Sequence, residues 1–220
     1  MLSFQPYRVL HALAVVWLSV ASSISSAALT DNSFVFLGIQ VGRGDTLASV
    51  MRGLGKTEEW GSGDASTSET KICYRIKGGE NDLIIVFASS AEMASPPGQI
   101  NHIRVYAVAS MFAQRKRCSL IDVSAHDLKT SDGLRLGLSP AEIQAILGPK
   151  RVAKNQSLNY SGCSKRYLKT SDPYFDRWVG KSDCFENPGR PYFSDCSFAE
   201  FKFSNGRTTY MSLNRNQSVC

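Results

Sequence analysis

The side chains of this 220-residue chain whose types and spacing could do chemistry are six cysteines, two histidines beyond an apolar leader, and one dense run of aromatic and arginine residues. The cysteines are Cys73, Cys118, Cys163, Cys184, Cys196 and Cys220. An even number in a chain bound for export points to oxidation into three disulfides. Metal ligation would want paired Cys or His at short spacing. No Cys-x-x-Cys occurs, and loss of the leader leaves only His102 and His126, so no metal is expected. His126 adjoins Asp127, a spacing that does not favour mutual hydrogen bonding, and His102 alternates with apolar residues in a predicted strand. No Gly-x-Ser-x-Gly, His-Glu-x-x-His or phosphate-loop pattern is present, and a cysteine nucleophile would compete with disulfide formation. Nucleophile, base and electrostatic stabiliser are not assembled, so neither an enzyme nor a cofactor is expected.

The aromatic run offers recognition chemistry instead. Tyr167, Tyr174, Phe175, Arg177, Trp178, Phe185, Arg190, Tyr192 and Phe193 are the densest such cluster. Interfaces favour these types, because rigid amphipathic rings fill pockets and arginine supplies forked hydrogen bonds. Tyr174, Phe175, Arg177, Trp178, Tyr192 and Phe193 are therefore the candidate partner-binding residues. The competing reading is a loop tied down by Cys163 and Cys184 that buries its own rings. Arg43-Gly44-Asp45 is a tripeptide that integrins read on exposed loops, yet Asp45 lies beside a helix start, where capping or dipole stabilisation is its expected job. Glu58-Glu59-Trp60 precedes a Gly/Ser/Thr-rich run read as a flexible loop, and three Asn-x-Ser sites are read as chance.

The compartment follows from the first residues. Arg8 precedes the apolar run Leu10 to Ala21, which is shorter than the roughly 18 residues of a membrane span, and small residues follow to Ala28. This is the pattern of a signal peptide over residues 1–28, cleaved near Ala27 or Ala28, and it places the chain in a periplasm or outside the cell. Cleavage leaves 24 basic and 19 acidic residues, a charge of +5. An exported chain is not expected to meet nucleic acid. Its charge suits peripheral contact with an anionic membrane surface or an acidic protein.

An internal repeat organises the rest. Gly44, Thr46, Ala48, Val50, Leu54 and Gly55 align with Gly137, Ser139, Ala141, Ile143, Leu147 and Gly148. Each copy predicts a short amphipathic helix, capped by Thr46 or Ser139 and ended by Gly55 or Gly148. Pro140 suits the first helical position, and Glu142 completes a capping box with Ser139. Strands are predicted at 71–76, 83–87 and 100–108 after the first helix, and at 157–161, 198–203 and 207–213 after the second. The fold class is α+β, with two tandem units, each of short helices packed on a small antiparallel β-sheet. The first unit is 29–125 and the second 126–220, the latter interrupted by a Cys- and aromatic-rich insertion at 162–195. The last two strands form a hairpin about Asn205-Gly206, in whose register Cys196 faces Arg215. The tail can then fold back to join Cys196 with Cys220, and sequence neighbourhood pairs Cys73 with Cys118 and Cys163 with Cys184. Pairing of Cys220 between chains is the rival.

The stretch Gly133-Leu134-Arg135-Leu136-Gly137-Leu138-Ser139-Pro140-Ala141-Glu142-Ile143-Gln144-Ala145-Ile146-Leu147-Gly148-Pro149, with its weaker copy at 42–55, resembles the start of SmpA/OmlA (BamE-like) domains. Tandem pairs of such a unit also form the β-lactamase inhibitory proteins. The resemblance implies a periplasmic or secreted module that binds other proteins and catalyses nothing, some members acting in outer-membrane assembly and others as enzyme inhibitors. The chain departs from the pattern in having no lipidated Cys near its leader and in carrying the Cys-rich insertion, and no binding positions carry over. The expected function is a non-catalytic protein-binding module whose partner is another envelope or secreted protein. The alternative is a binder of a small ligand or an envelope component such as lipid or glycan.

Overall fold

The structure, a computed structural model, describes residues 29–62, 68–77, 82–90, 98–107, 112, 115–171 and 192–219. The leader, Tyr174, Phe175, Arg177, Trp178, Cys184 and Cys220 lie outside the described residues. Helix α1 is Leu47–Leu54 and α2 is Pro140–Leu147. Both begin in a capping box: the Ser49 amide donates to Thr46 Oγ1 at 3.2 Å, and the Glu142 amide to Ser139 Oγ at 3.3 Å. Each ends at a glycine with φ near +90°, Gly55 at +98° and Gly148 at +88°, which satisfies the last turn without a Cβ penalty.

A two-stranded ribbon, β1 (Val35–Phe36) with β2 (Ile39–Gln40), precedes the main sheet. The main sheet comprises β3 (Trp60–Ser62), β4 (Glu69–Ile76), β5 (Leu83–Ser90), β6 (His102–Tyr106), β7 (Ser119–Leu120), β8 (Ser157–Tyr167), β9 (Tyr192–Ser204) and β10 (Arg207–Val219). Its order is β3-β4-β5-β6-β10-β9-β8, antiparallel along that path, with β7 lying parallel to β4. The expected short helices on antiparallel strands are present, but the described chain is mostly β and the strands of the two halves form one sheet, not the two small ones of separate tandem units. β6 and β10 join them, in register from Tyr106↔Tyr210 to Asn214↔His102. Two separate sheets would leave these strands as unpaired edges, and joining them satisfies both rows of backbone groups. The halves also meet at the ribbon, where Phe36 bridges Thr130 and the Ser131 amide donates to Val35 O at 2.9 Å.

One core fills the space between the helices and the sheet. Leu47, Val50, Ile143 and Leu147 pack on Tyr74, Phe87, Ile103, Phe201 and Leu213 from both halves. Each helix is held from its C-cap in the same way. Tyr74 Oη donates to Gly55 O at 2.7 Å, and Tyr160 Oη to Gly148 O at 2.9 Å. A smaller cluster on the other sheet face packs Phe112 over Ile84, Val86 and the Cys73–Cys118 disulfide.

The second disulfide overturns an expectation. Cys163 is bonded to Cys196, with Cα atoms 4.1 Å apart, so neither Cys163–Cys184 nor Cys196–Cys220 forms. The cause is strand length. β8 does not stop at Ser161 but runs to Tyr167, and β9 starts at Tyr192, so residues 162–167 and 192–195 of the expected insertion are strand, and Cys163 lies directly across from Cys196. The hairpin register differs too. Asn205 and Gly206 take the left-handed φ of +51° and +71° that an Asn-Gly turn favours, but a bulge between Thr208 and Tyr210 shifts pairing by one, so Cys196 faces Asn216 and Arg215 faces Ser197.

Candidate interaction face

Strand alternation gives the sheet two unlike faces. The helix-side face is core. The other carries His102, Arg104 and Tyr106 on β6, Tyr210, Ser212, Asn214 and Asn216 on β10, Glu200 and Phe198 on β9, and Asn159 and Ser161 on β8. Over β4 and β5 this face is roofed by Phe112 and Trp60. Over β10, β9 and β8 no described element covers it, and Phe198 stands there 42% exposed. Sequence reasoning missed Phe198, whose alternation with Ala199 and Phe201 was the only signal for it.

Of the expected partner-binding residues, Tyr192 and Phe193 are described, on the arm where β8, β9 and β10 run past the rest of the sheet. They do not form one patch. Adjacent on a strand, they point to opposite faces. Tyr192 shares the open face with Tyr167, the rings edge to face at 6.1 Å, and Lys165 sits 4.7 Å over Tyr192. Phe193 lies on the helix side, 6.0 Å from the Arg166 guanidinium.

Among the described residues, His102 is the one open-face group with reactive geometry. Its Nε2 is 2.7 Å from Ser212 Oγ, and its Nδ1 is 3.9 Å from Glu69 Oε1. A hydroxyl, an imidazole and a carboxylate in series are what acyl transfer uses. Here the imidazole is not poised to take a proton: burial pushes its pKa down to about 4, Arg104 and Lys71 add to the push, and Glu69 opposes it. Arg104 lies against the ring, its Nη2 2.9 Å from Nδ1, and takes Glu69 for itself at 3.1 Å. The arrangement can hold a polar group by hydrogen bonds, with a neutral ring. His126 is exposed, its Nδ1 3.8 Å from Asp127 Oδ1. Asp45 is not the cap of α1, a role taken by Thr46; it accepts from the Gln40 amide at 2.8 Å and from Ser49 Oγ at 3.1 Å, which ties the preceding loop to the helix start.

On the helix side the base of the arm holds a charge network. Asp195 accepts from Arg215 Nε at 2.9 Å and Nη2 at 2.7 Å, and Asp31 accepts from Nη1 at 2.7 Å. Arg43 pairs with the same carboxylates at 2.8 and 3.3 Å. Hydrogen bonding from Arg215 holds the Asp31 carboxyl below its ordinary range. Burial pushes Asp195 upward, but the bonds and charge of Arg215 outweigh it, and its pKa is also lowered. No group of three metal-ligating side chains occurs among the described residues, and no helix among them is long and apolar enough to cross a membrane. No protein-family model matches the chain, and no curated protein or solved structure is significantly similar to it.

Proposed function

We propose that this chain is an exported, non-catalytic protein-binding module of the cell envelope or secreted space, built from two BamE-like units fused edge to edge. The observation that carries the reading is the sheet face that no described element covers, where Phe198 lies 42% exposed among Asn and Ser side chains while both helices pack on the opposite face. An aromatic ring set in a hydrogen-bonding surface with cations nearby, here Lys202 over Tyr210 at 4.8 Å, has the composition of a protein interface. The two-unit reading rests on matched order, α1 then β4, β5 and β6, and α2 then β8, β9 and β10, and on the tyrosine that ties each helix end to its sheet. The family resemblance extends it to an enzyme inhibitor or an assembly factor, and the disulfides suit an oxidising compartment.

The test is a cross-linking pull-down from envelope extract and secreted fluid with the tagged chain 29–220, run beside Phe198→Asp. The expected result is one dominant, salt-tolerant protein that the variant captures about tenfold less well, with an unchanged melting temperature. Equal capture by both, or no specific capture, sinks the reading.

A further inference from the structure

On the helix side, opposite Phe198, a cavity of about 500 Å³ opens between the segment Leu29–Asp31, Arg43, Lys150, Tyr160 and the base of the arm at Arg215. Its floor is built. Arg215 is 5% exposed, it lies 5.6 Å from the Phe34 ring, and a Cβ on Gly42 would come within 2.8 Å of its side chain. With Asp195 and Asp31 taking its donors, Arg215 is a fixed strut and not a grip. Arg43 is engaged by the same two carboxylates. Lys150 differs: it sits 5.3 Å over the Tyr160 ring and has no carboxylate partner among the described residues. Tyr160 is itself anchored through its hydroxyl to Gly148 O, so the cation stands on a rigid platform.

Three cations against two carboxylates leave the lining one positive charge in excess. Ser164 and Ser197 add hydroxyls to the wall. The volume falls within the roughly 300–1,000 Å³ of small-ligand sites and is more than a bare anion fills.

We propose that this cavity binds a phosphate group carried on a polyol, a glycerol or sugar phosphate, with Lys150 as the cation that receives the phosphate. The same chemistry is offered by a soluble phosphate ester and by an anionic lipid headgroup. The site is on the face opposite the proposed protein interface, so either can fail without the other.

The chain 29–220 is tested by thermal shift and calorimetry with inorganic phosphate and with sn-glycerol 3-phosphate, at about 10 mM and against chloride at matched ionic strength. It is also sedimented with vesicles of phosphatidylcholine alone and with added phosphatidylglycerol. The expected result is a rise in melting temperature of about 2 °C or more with glycerol phosphate. Lys150→Glu, exposed and so tolerated, loses it, while Lys150→Arg keeps it. Capture only by anionic vesicles, with the same dependence on Lys150, supports the proposal and assigns the lipid source. Absence of both soluble and vesicle binding, or binding that survives Lys150→Glu, overturns it.

Discussion

His102 has a cost that depends on pH. Its folded pKa is lowered from 6.5 to about 4 by burial and by Arg104, so below pH 6.5 the unfolded chain takes up a proton that the folded chain refuses. Stability contributed by the neutral ring is complete above pH 6.5 and is lost as pH falls towards 4, by about 3 kcal/mol for a shift of this size. The groups facing the ring are Glu69, Lys71, Arg104 and Ser212. Melting curves from pH 7 to 4 should therefore fall steeply for the native chain and more shallowly for His102→Gln. Equal slopes would mean that the ring is solvated. Asp31 and Asp195 act in a lower window: their depressed pKa values add stability above the ordinary carboxylate pKa of 3.8, and it is lost as pH falls through the folded values. The strand position of His102 could be read from its alternation with Ile103 and Val105. The charged cluster around it could not, because Glu69 and Ser212 come from strands 33 and 110 residues away.

At the scale of elements, local chemistry was legible and partner choice was not. Both N-caps, the Ser139–Glu142 capping box, both terminal glycines and the Asn-Gly turn depend on neighbours within a few residues, and each stands where the sequence places it. Disulfide pairing depends on register between distant strands, and there neighbourhood misled. Cys73–Cys118 closes a loop of 45 residues as expected, but Cys163 joins Cys196 because β8 continues six residues beyond the predicted end, through a polar stretch with no apolar alternation to announce it. Peptide mapping without reduction should yield linked peptides containing Cys73 with Cys118 and Cys163 with Cys196. A Cys163–Cys184 peptide in their place would refute the strand register. The candidate site was legible only in kind: aromatic residues with cations beside them do occur on the arm, but strand alternation sends Tyr192 and Phe193 to opposite faces, and the open face gathers Phe198 and Ser212, which no motif marks.

For the whole molecule, the repeat in sequence becomes a shared sheet. Residues of both halves interleave in one core, and the seam of five pairs between β6 and β10 is backbone hydrogen bonding that neither half can supply alone. Chains 29–125 and 126–220 expressed separately should each lack cooperative melting, and mixing the two should restore it. If either half alone melts cooperatively near the temperature of the full chain, the halves are independent folding units and the seam is a docking contact. The helix repeat in the sequence suggests two separate sheets, because an isolated strand pattern carries no mark of which edge it will offer to another strand.

The position of β10 in the chain also sets an order of events. A polypeptide delivered amino end first presents β6 more than 100 residues before residues 207–219, its neighbour in the sheet, are available. For that interval the first half has an open edge of the kind that recruits other strands. Closure waits on β10, which is also the strand that brings Arg215 to Asp31. Truncation in the final hairpin therefore does not shorten the molecule by one strand; it returns the whole sheet to its unfinished condition.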